Sequence, residues 1–566
     1  MKVSDYIVAY LIEKEITDVF GYPGGMVTHL MESFRKYRDK INAHVTYHEQ
    51  GAAFAACGYA QTSGKTGVAY ATSGPGATNL ITGICDAYFD SIPCLFLTGQ
   101  VNISEAKGNL GVRQRGFQET DIVSMVKGIT KYAAYVASEQ KIKYYLDRAF
   151  YEAESGRPGP VLLDIPMNIF RAEVDVDRLD GFKKPEKEKH SDIMKAILEK
   201  SLQKSERPLF LFGNGVKNRF LNSEAGAVVK RMALPFATSM TAFDLFPGCE
   251  ENLGFIGAYG DRAANFAVAK SDLIIAAGTR MDVRQVGAKR ENFAPDAKII
   301  RIDIDAGELE YKVHPDEIQI QCTIEEFFAA LRQINFEKNY AGWKKVCQML
   351  KKELDGEDES LPNDIVKQVS RKVPDHAVIT ADVGQNQVWL AQSFEVKKNQ
   401  RVLFSGGHGA MGYSLPAAIG AYFGSGRKPV MSFSGDGGFQ MNIQELQFIA
   451  REQIPVKMVV LNNDALGMIR HFQEMYFEGE YFQTKPEGGY TAPDFAAIAK
   501  AYGIRSMRVE YPDEIDREVL EDDVPILIEV MIKENTYVFP KLEFGKPNQD
   551  QEPLLERDRY EYLMKL

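Results

Sequence analysis

Short apolar runs rich in β-branched and aromatic residues recur from end to end of this chain, separated by amphipathic segments of helix length: TGVAYATSG, SIPCLFLTG, GPVLLDIP, RPLFLFGNG, SDLIIAAGT, AKIIRIDID, KPVMSFSGD and IPVKMVVLNN. Runs with no polar face belong to strands covered on both sides, and strands spaced by helices pair in parallel through crossovers rather than as hairpins. The recurrence therefore predicts an α/β chain of parallel sheets flanked by helices.

At 566 residues the chain has room for about three or four domains. Two charged stretches, KKPEKEKH at 183–190 and KKELDGEDES at 351–360, interrupt the alternation and read as linkers. They divide the sequence into domains at 1–180, 190–335 and 360–545, followed by a polar tail at 546–566. The first and third domains echo each other. SGPG (73–76) and SGDG (434–437) each end a strand-like run, and the next strand begins at Ile92 in one and Ile454 in the other, at nearly equal spacing.

Several function classes drop out early. The chain carries 67 Lys and Arg against 78 Asp and Glu, a net charge of −11, with no basic cluster long enough for a run of phosphates; nucleic acid is not an expected partner. No apolar run approaches the roughly 18 residues of a membrane span, and Asp5 and Glu13 fall inside what would be a signal peptide's apolar core. A cytoplasmic location away from membranes is the expectation. The 6 cysteines form neither a C-x-x-C pair nor a zinc-like spacing, so buried reduced thiols are expected, and no G-x-S-x-G nucleophile elbow occurs.

The chemistry concentrates in GDGGFQMNIQELQFIAREQIPVKMVVLNN. Asp436 and Asn463 fall at the carboxyl ends of neighbouring parallel strands, where ligands of open α/β sheets bind. One carboxylate and one amide oxygen, completed by backbone carbonyl and diphosphate oxygens, suit Mg²⁺. Gly437 and Gly438 let backbone N–H groups approach a diphosphate at a helix start. Taken alone, GDGG is equally good turn chemistry.

GDG followed by NN at this spacing resembles the thiamine diphosphate (ThDP) motif. The chain resembles the acetohydroxyacid synthase (acetolactate synthase) family through FGYPGG (20–25), YHEQGAAFAACGYA (47–60), TSGPGATN (72–79), GFQETDIV (116–123), SGRPGPVLLDIP (155–166), VGQNQVW (383–389), SGGHGAMGYSLPAAIGA (405–421) and NNDALGM (462–468). The resemblance implies pyrimidine-binding, central Rossmann-like and diphosphate-binding domains, with ThDP and Mg²⁺ as cofactors. It implies a carboligase that decarboxylates pyruvate and transfers the hydroxyethyl (acetyl) unit to a second 2-ketoacid, giving 2-acetolactate when that acid is pyruvate, as in branched-chain amino acid synthesis.

Residue by residue, Glu49 matches the glutamate that bonds the cofactor's aminopyrimidine. Such a carboxyl needs a raised pKa and an apolar pocket, and Gly51, Ala52, Ala53 and Ala55 are compatible with close packing there. Met411 matches the apolar prop under the bent cofactor, and Gly409 the backbone that faces the aminopyrimidine. Gly384, Gln385, Asn386, Gly437, Gly438, Gly467 and Met468 match further cofactor contacts, and Asp436, Asn463 and Ala465 the metal ligands. Arg284 resembles the arginine that holds the acceptor's carboxylate, a task suited to a planar bidentate donor. Phe117 and Gln118 match pocket residues, and Gly25 leaves room for substrate. Active sites shared between subunits imply a homodimer or homotetramer, and a small regulatory subunit is implied as a partner.

The sequence also departs from the family. Phe472 stands where a tryptophan favours 2-ketobutyrate as acceptor, Met167 replaces a lysine, Val283 replaces an aspartate, and the charged loop between Gly99 and Phe117 is longer. These features also resemble ThDP enzymes that transfer an acetyl unit to a keto-sugar, so a carboligase with such an acceptor, or a simple 2-ketoacid decarboxylase, is the alternative. A rival from another class is an NAD-dependent oxidoreductase, because Gly407, Gly409 and Gly412 after RVLFS satisfy G-x-G-x-x-G. In the middle domain Gly213, Gly215, Gly278, Arg280, Asp303 and Ile304, with Arg157, match FAD-binding positions, while Thr323 replaces an aspartate. The resemblance implies FAD there, against a nucleotide-free Rossmann-like spacer.

Overall fold

The computed structural model describes all residues except 186–192, 218–221 and 336–337. Three six-stranded sheets form, and every strand pairing in them is parallel. The first contains β1 (Asp18–Gly21), β2 (Asn42–Val45), β3 (Gly67–Ala71), β4 (Cys94–Gln100), β5 (Tyr132–Tyr135) and β6 (Val161–Pro166). The middle sheet contains β7 (Pro208–Phe212), β8 (Phe236–Thr238), β9 (Asn252–Phe255), β10 (Leu273–Ala277), β11 (Lys298–Asp303) and β12 (Ile318–Gln321). The third contains β13 (Val378–Ala381), β14 (Arg401–Phe404), β15 (Val430–Gly435), β16 (Val456–Asn462), β17 (Arg505–Val509) and β18 (Ile526–Met531). All eight apolar runs quoted above are strands.

The first sheet has the order β2-β1-β3-β4-β6-β5 and the third β14-β13-β15-β16-β18-β17, which is the same topology twice. The echo between SGPG and SGDG is therefore a structural repeat. In this order the chain reverses direction across the sheet between the first and third strands of each domain, and ligand crevices open at such points beyond the strands' carboxyl ends. The middle sheet, β12-β11-β10-β7-β8-β9, reverses instead between β7 and β10, the order typical of dinucleotide-binding sheets.

Two compact units result. One comprises Met1–Glu186, Lys372–Gln387 and Arg401–Asn535, and contains the first and third sheets. A single apolar core runs through it. Its centre is the crossing of the helices Glu49–Ser63 and Ser414–Gly424, where a Cβ on Gly58 would fall on the Ala417 carbonyl oxygen and one on Gly420 on that of Ala55. Small residues let the two backbones touch, which explains why AAFAACGYA is apolar on every side.

The other unit comprises Lys187–Arg371, Val388–Gln400 and Thr536–Leu566, with one apolar cluster on each face of the middle sheet. Residues 546–566, read above as a tail, contribute to it. The helix Arg557–Lys565 buries Leu563, Tyr560 packs on Phe266 with centroids 5.5 Å apart, and Arg262 binds Asp358 and the carbonyls of Gln551 and Pro553. Of the expected linkers, Lys351–Leu354 closes the helix Ala341–Leu354, and positions 186–190 lie outside the described residues. The cysteines are all free and five are buried; Cys85 is half-buried.

Candidate active site

The crevice of the third sheet gathers the residues that the sequence singled out between 382 and 468. Asp436 opens the short helix Asp436–Met441 directly after β15, so GDGG is a strand-to-helix junction rather than a plain turn. Its Oδ1 accepts the Gly437 amide at 2.9 Å and its Oδ2 the Ala465 amide at 3.0 Å. Burial pushes this carboxyl up to about 7, against the pull of those two amides. Asn463 donates its amide nitrogen to Gln385 Oε1 at 3.2 Å, and a Cβ on Gly467 would fall on that same Gln385 oxygen. Ala465 carbonyl accepts the Gly467 amide at 2.9 Å. Met411 reaches the pocket as well, its Cε standing 3.0 Å from where a Cβ on Gly437 would be.

A polar ligand fits this crevice. Asn386 Oδ1 and Ser434 Oγ are buried without hydrogen-bond partners among the described residues, and buried polar atoms are rarely left so. Gly384 has φ +133° and Gly409 φ +69°, conformations that admit glycine, and among the described residues nothing lies within 4 Å of a Cβ on Gly409. Among the described residues no trio of His, Cys, Asp and Glu is poised on a metal. A site of one carboxylate with amide and backbone oxygens is instead of the sparse kind that Mg²⁺ takes together with phosphate.

The equivalent crevice of the first sheet holds the second group. Glu49 is the first residue of its helix and is 7% exposed; Asn79 donates to its Oε2 at 2.9 Å. Gly76 lies under it, since a Cβ there would stand 3.1 Å from Glu49 Oε1. Among the described residues nothing lies within 4 Å of a Cβ on Gly25, while the Met26 amide donates to Thr72 Oγ1 at 3.2 Å. Gln118, at φ +61°, packs against Gly74, and Phe117 beside it is 79% exposed. The charged loop before them is organised by Glu119, which accepts the amides of Lys107, Arg115 and Gly116. Phe472 lies on the helix Gly467–Tyr476, 49% exposed, with its ring centroid 4.6 Å from that of Tyr476; Met468 is the second residue of the same helix, half-buried.

The G-x-G-x-x-G reading fails on geometry. β14 is an edge strand, the amides of Gly406 and Gly407 are each bound at 2.7 Å by Asp90, and that of Gly412 by Asp382 at 2.9 Å. Amides committed to carboxylates are not available to a pyrophosphate.

In the other unit, Arg284 is exposed on the short helix Val283–Val286, whose start Asp282 caps by accepting the Arg284 amide at 2.9 Å. Gly213, Gly215, Gly278 and Arg280 lie on the loops after β7 and β10, at the reversal point of the middle sheet, and Asp303 and Ile304 at the end of β11. The glycines have a packing reason: a Cβ on Gly213 would fall on the Gly278 carbonyl oxygen, and the Gly215 amide donates to that oxygen at 2.9 Å. Asp303 accepts the Asp305 amide at 3.0 Å, and Thr323 caps the helix Ile324–Gln333 in a capping box with Glu326. Arg157 belongs to the first unit and donates to Ser91 Oγ at 2.8 Å.

Sequence reasoning missed Asp382, Tyr490 and Glu445. Asp382 holds the amides of Val383, Gly412 and Ser414, and burial lifts it to about 6. Its place just before VGQN was a usable signal. Tyr490 stands against Asp436, its hydroxyl 3.3 Å from where a Cβ on Gly437 would be; nothing in the sequence pointed to it. Glu445, within the quoted IQEL, was an overlooked acid in an apolar segment.

Residues 1–125 match the family described as "Thiamine pyrophosphate enzyme, N-terminal TPP binding domain", 196–331 "Thiamine pyrophosphate enzyme, central domain" and 382–530 "Thiamine pyrophosphate enzyme, C-terminal TPP binding domain". The chain is 36% identical over 569 residues to the acetolactate synthase isozyme 2 large subunit of Escherichia coli (strain K12), covering 97% of this chain and 99% of that protein. It is 35% identical over 554 residues to the acetolactate synthase large subunit of Lactococcus lactis subsp. lactis (strain IL1403), covering 96% and 94%. The chloroplastic acetolactate synthase 2 of Nicotiana tabacum is 34% identical over 568 residues, covering 96% and 84%.

Proposed function

The chain belongs to the acetolactate synthase branch of the thiamine pyrophosphate enzymes, and from that membership we propose that it decarboxylates pyruvate and joins the remaining two-carbon unit to a second 2-ketoacid. The observation that carries the reading is the third sheet's crevice, where Asp436, Asn463, Gln385, Met411 and the Gly437 backbone converge at the strand-order reversal. Bound ThDP supplies the nucleophilic thiazolium carbon and the electron sink for carboxylate loss. Glu49 holds the proton at the aminopyrimidine N1′. Asp436, the Asn463 side-chain oxygen and the Ala465 carbonyl would hold Mg²⁺, and Gln385, Asn386 and the Gly437 and Gly438 backbone the diphosphate. Met411 props the cofactor, and Gly25, Phe117, Gln118 and Phe472 line the space for the ketoacids.

Within one chain, Glu49 and Asp436 sit at the crevices of different sheets and have no partner in common among the described residues. A homodimer or homotetramer would complete each site with Glu49 of one copy and Asp436 of another. The exposed apolar side chains of Phe117, Met125, Met441 and Ile469 support such an association. A small regulatory subunit, in keeping with the "large subunit" relatives, and a cytoplasmic location belong to the same reading. Among the described residues no helix is long and apolar enough to cross a membrane. The same reading puts FAD at the crevice between β7 and β10, and the dinucleotide-type strand order of that sheet supports it.

The test is to incubate purified protein with ThDP, Mg²⁺ and pyruvate, with and without FAD, and to follow CO₂ and acetolactate by mass spectrometry. Acetolactate supports the synthase reading. CO₂ without acetolactate overturns the ketoacid acceptor and directs the assay to keto-sugars.

Arg284→Ala separates the two half-reactions. The exposed guanidinium does not hold the fold, so pyruvate decarboxylation should persist while acetolactate formation falls about 10- to 100-fold, the range for one charged hydrogen-bonding partner. Equal losses in CO₂ and acetolactate would remove its role toward the acceptor.

A further inference from the structure

Glu49 is read from its motif, but what holds it in place lies in another domain. Glu445, in the turn after the Asp436 helix, is fully buried, and its Oε1 accepts the amides of Tyr47 at 3.0 Å and His48 at 3.1 Å. Tyr47 and His48 are the last residues before the helix that Glu49 opens, and His48 caps that helix by accepting the Gln50 amide on Nδ1 at 3.1 Å. Two consecutive amides on one oxygen fix the orientation of both peptide planes, and with it the direction in which the helix leaves. Gly51 makes room for this arrangement, because a Cβ there would stand 2.5 Å from Glu445 Oε1. Arg451 secures the same segment by donating to the Val45 carbonyl at 2.9 Å. The carboxylate is costly to keep: burial lifts it to about 7, and its Oε2 is buried with no partner among the described residues.

We propose that Glu445 is a positioning residue for Glu49, its buried Oε1 clamping the Tyr47 and His48 amides so that the helix presenting Glu49 starts in one fixed direction. The proposal rests on the reading of Glu49 as the group that holds the aminopyrimidine proton. It predicts that the clamp acts on cofactor activation and not on cofactor binding, since the diphosphate and metal positions lie in the other crevice.

The first readout is amide hydrogen exchange in the protein without cofactor. Glu445→Ala should expose the Tyr47 and His48 amides, raising their exchange about tenfold or more. The second is exchange of the thiazolium C2 proton of bound ThDP with D₂O in the absence of pyruvate. It should slow about tenfold or more in the same variant, as expected for a misplaced acid–base group, while ThDP affinity stays within about threefold. Glu445→Gln keeps an acceptor oxygen and should restore both. Gly51→Ala keeps Glu445, adds a good helix former and crowds Oε1, so it should reproduce the slow C2 exchange in a protein that folds. Wild-type amide protection and C2 exchange in Glu445→Ala would overturn the proposal, as would a Gln variant as impaired as the Ala variant. Unchanged C2 exchange in Glu49→Gln would sink the reading of Glu49 itself, and the amide-exchange result would still report on the clamp.

Discussion

Glu49→Gln should leave ThDP bound and lower turnover roughly 10²- to 10⁴-fold, the range attributed to a positioned acid–base group. Glutamine matches the shape of glutamate, and the Oε2 bond from Asn79 has an acceptor to replace it, so the local structure has no reason to move. What is lost is the ionisable proton. Asn79, Gly76 and the 7% exposure of Glu49 describe a tight pocket in which no second carboxyl touches this group among the described residues, so no neighbour takes over. The measurement is CO₂ release at saturating pyruvate beside ThDP affinity by calorimetry. A variant that turned over within about threefold of wild type would remove Glu49 from the chemistry, given that range.

Asp436→Ala should weaken Mg²⁺ and ThDP jointly, by about 100-fold or more, because Asp436 would supply the charged group that holds the cation beside the diphosphate. A fold defect would give the same activity loss, so the discriminating measurement is thermal stability without cofactor. Burial raises the Asp436 carboxyl from 3.8 to about 7 in the folded protein. A carboxyl with a raised folded-state pKa favours the fold while protonated, and that contribution is lost as pH rises from about 4 through about 7. At pH 8 the cost of burying the bare carboxylate opposes the two amide bonds that it accepts, so its removal should change the melting temperature little. The stabilisation that Mg²⁺ and ThDP add to the native protein should disappear. Full cofactor affinity in this variant would mean that the metal assignment is wrong.

How much of this was legible beforehand differs from residue to residue. The strands were plain because a run such as KPVMSFSGD has to be covered on both faces, and that demand is local to the sequence. The linkers were not: KKELDGEDES is charged, yet Lys351–Leu354 finishes a helix and Asp358 pairs with a buried arginine. Residues 546–566 are polar in composition, but Leu563 and Tyr560 supply an apolar face that becomes apparent only once the Arg262–Lys270 helix is there to receive it. At the candidate site, Asp436, Asn463 and Glu49 stood out because each sits in a compact motif at a strand end or helix start. Glu445 and Tyr490 escaped because their partners are remote in the chain, and remote contacts leave no periodicity or spacing to read.

The residue order alone was enough for the parallel α/β class, the doubling of one domain and the family motifs, since hydrophobic period, glycine placement and strand–helix alternation are local properties. Tertiary structure was needed to show that the Gly407–Gly412 loop spends its amides on Asp90 and Asp382, that Gly213 and Gly278 meet backbone to backbone, and that one buried oxygen of Glu445 grips the turn before Glu49. Each of these depends on the direction of a single polar atom relative to groups tens or hundreds of residues away, and only packing of the finished sheets specifies that direction.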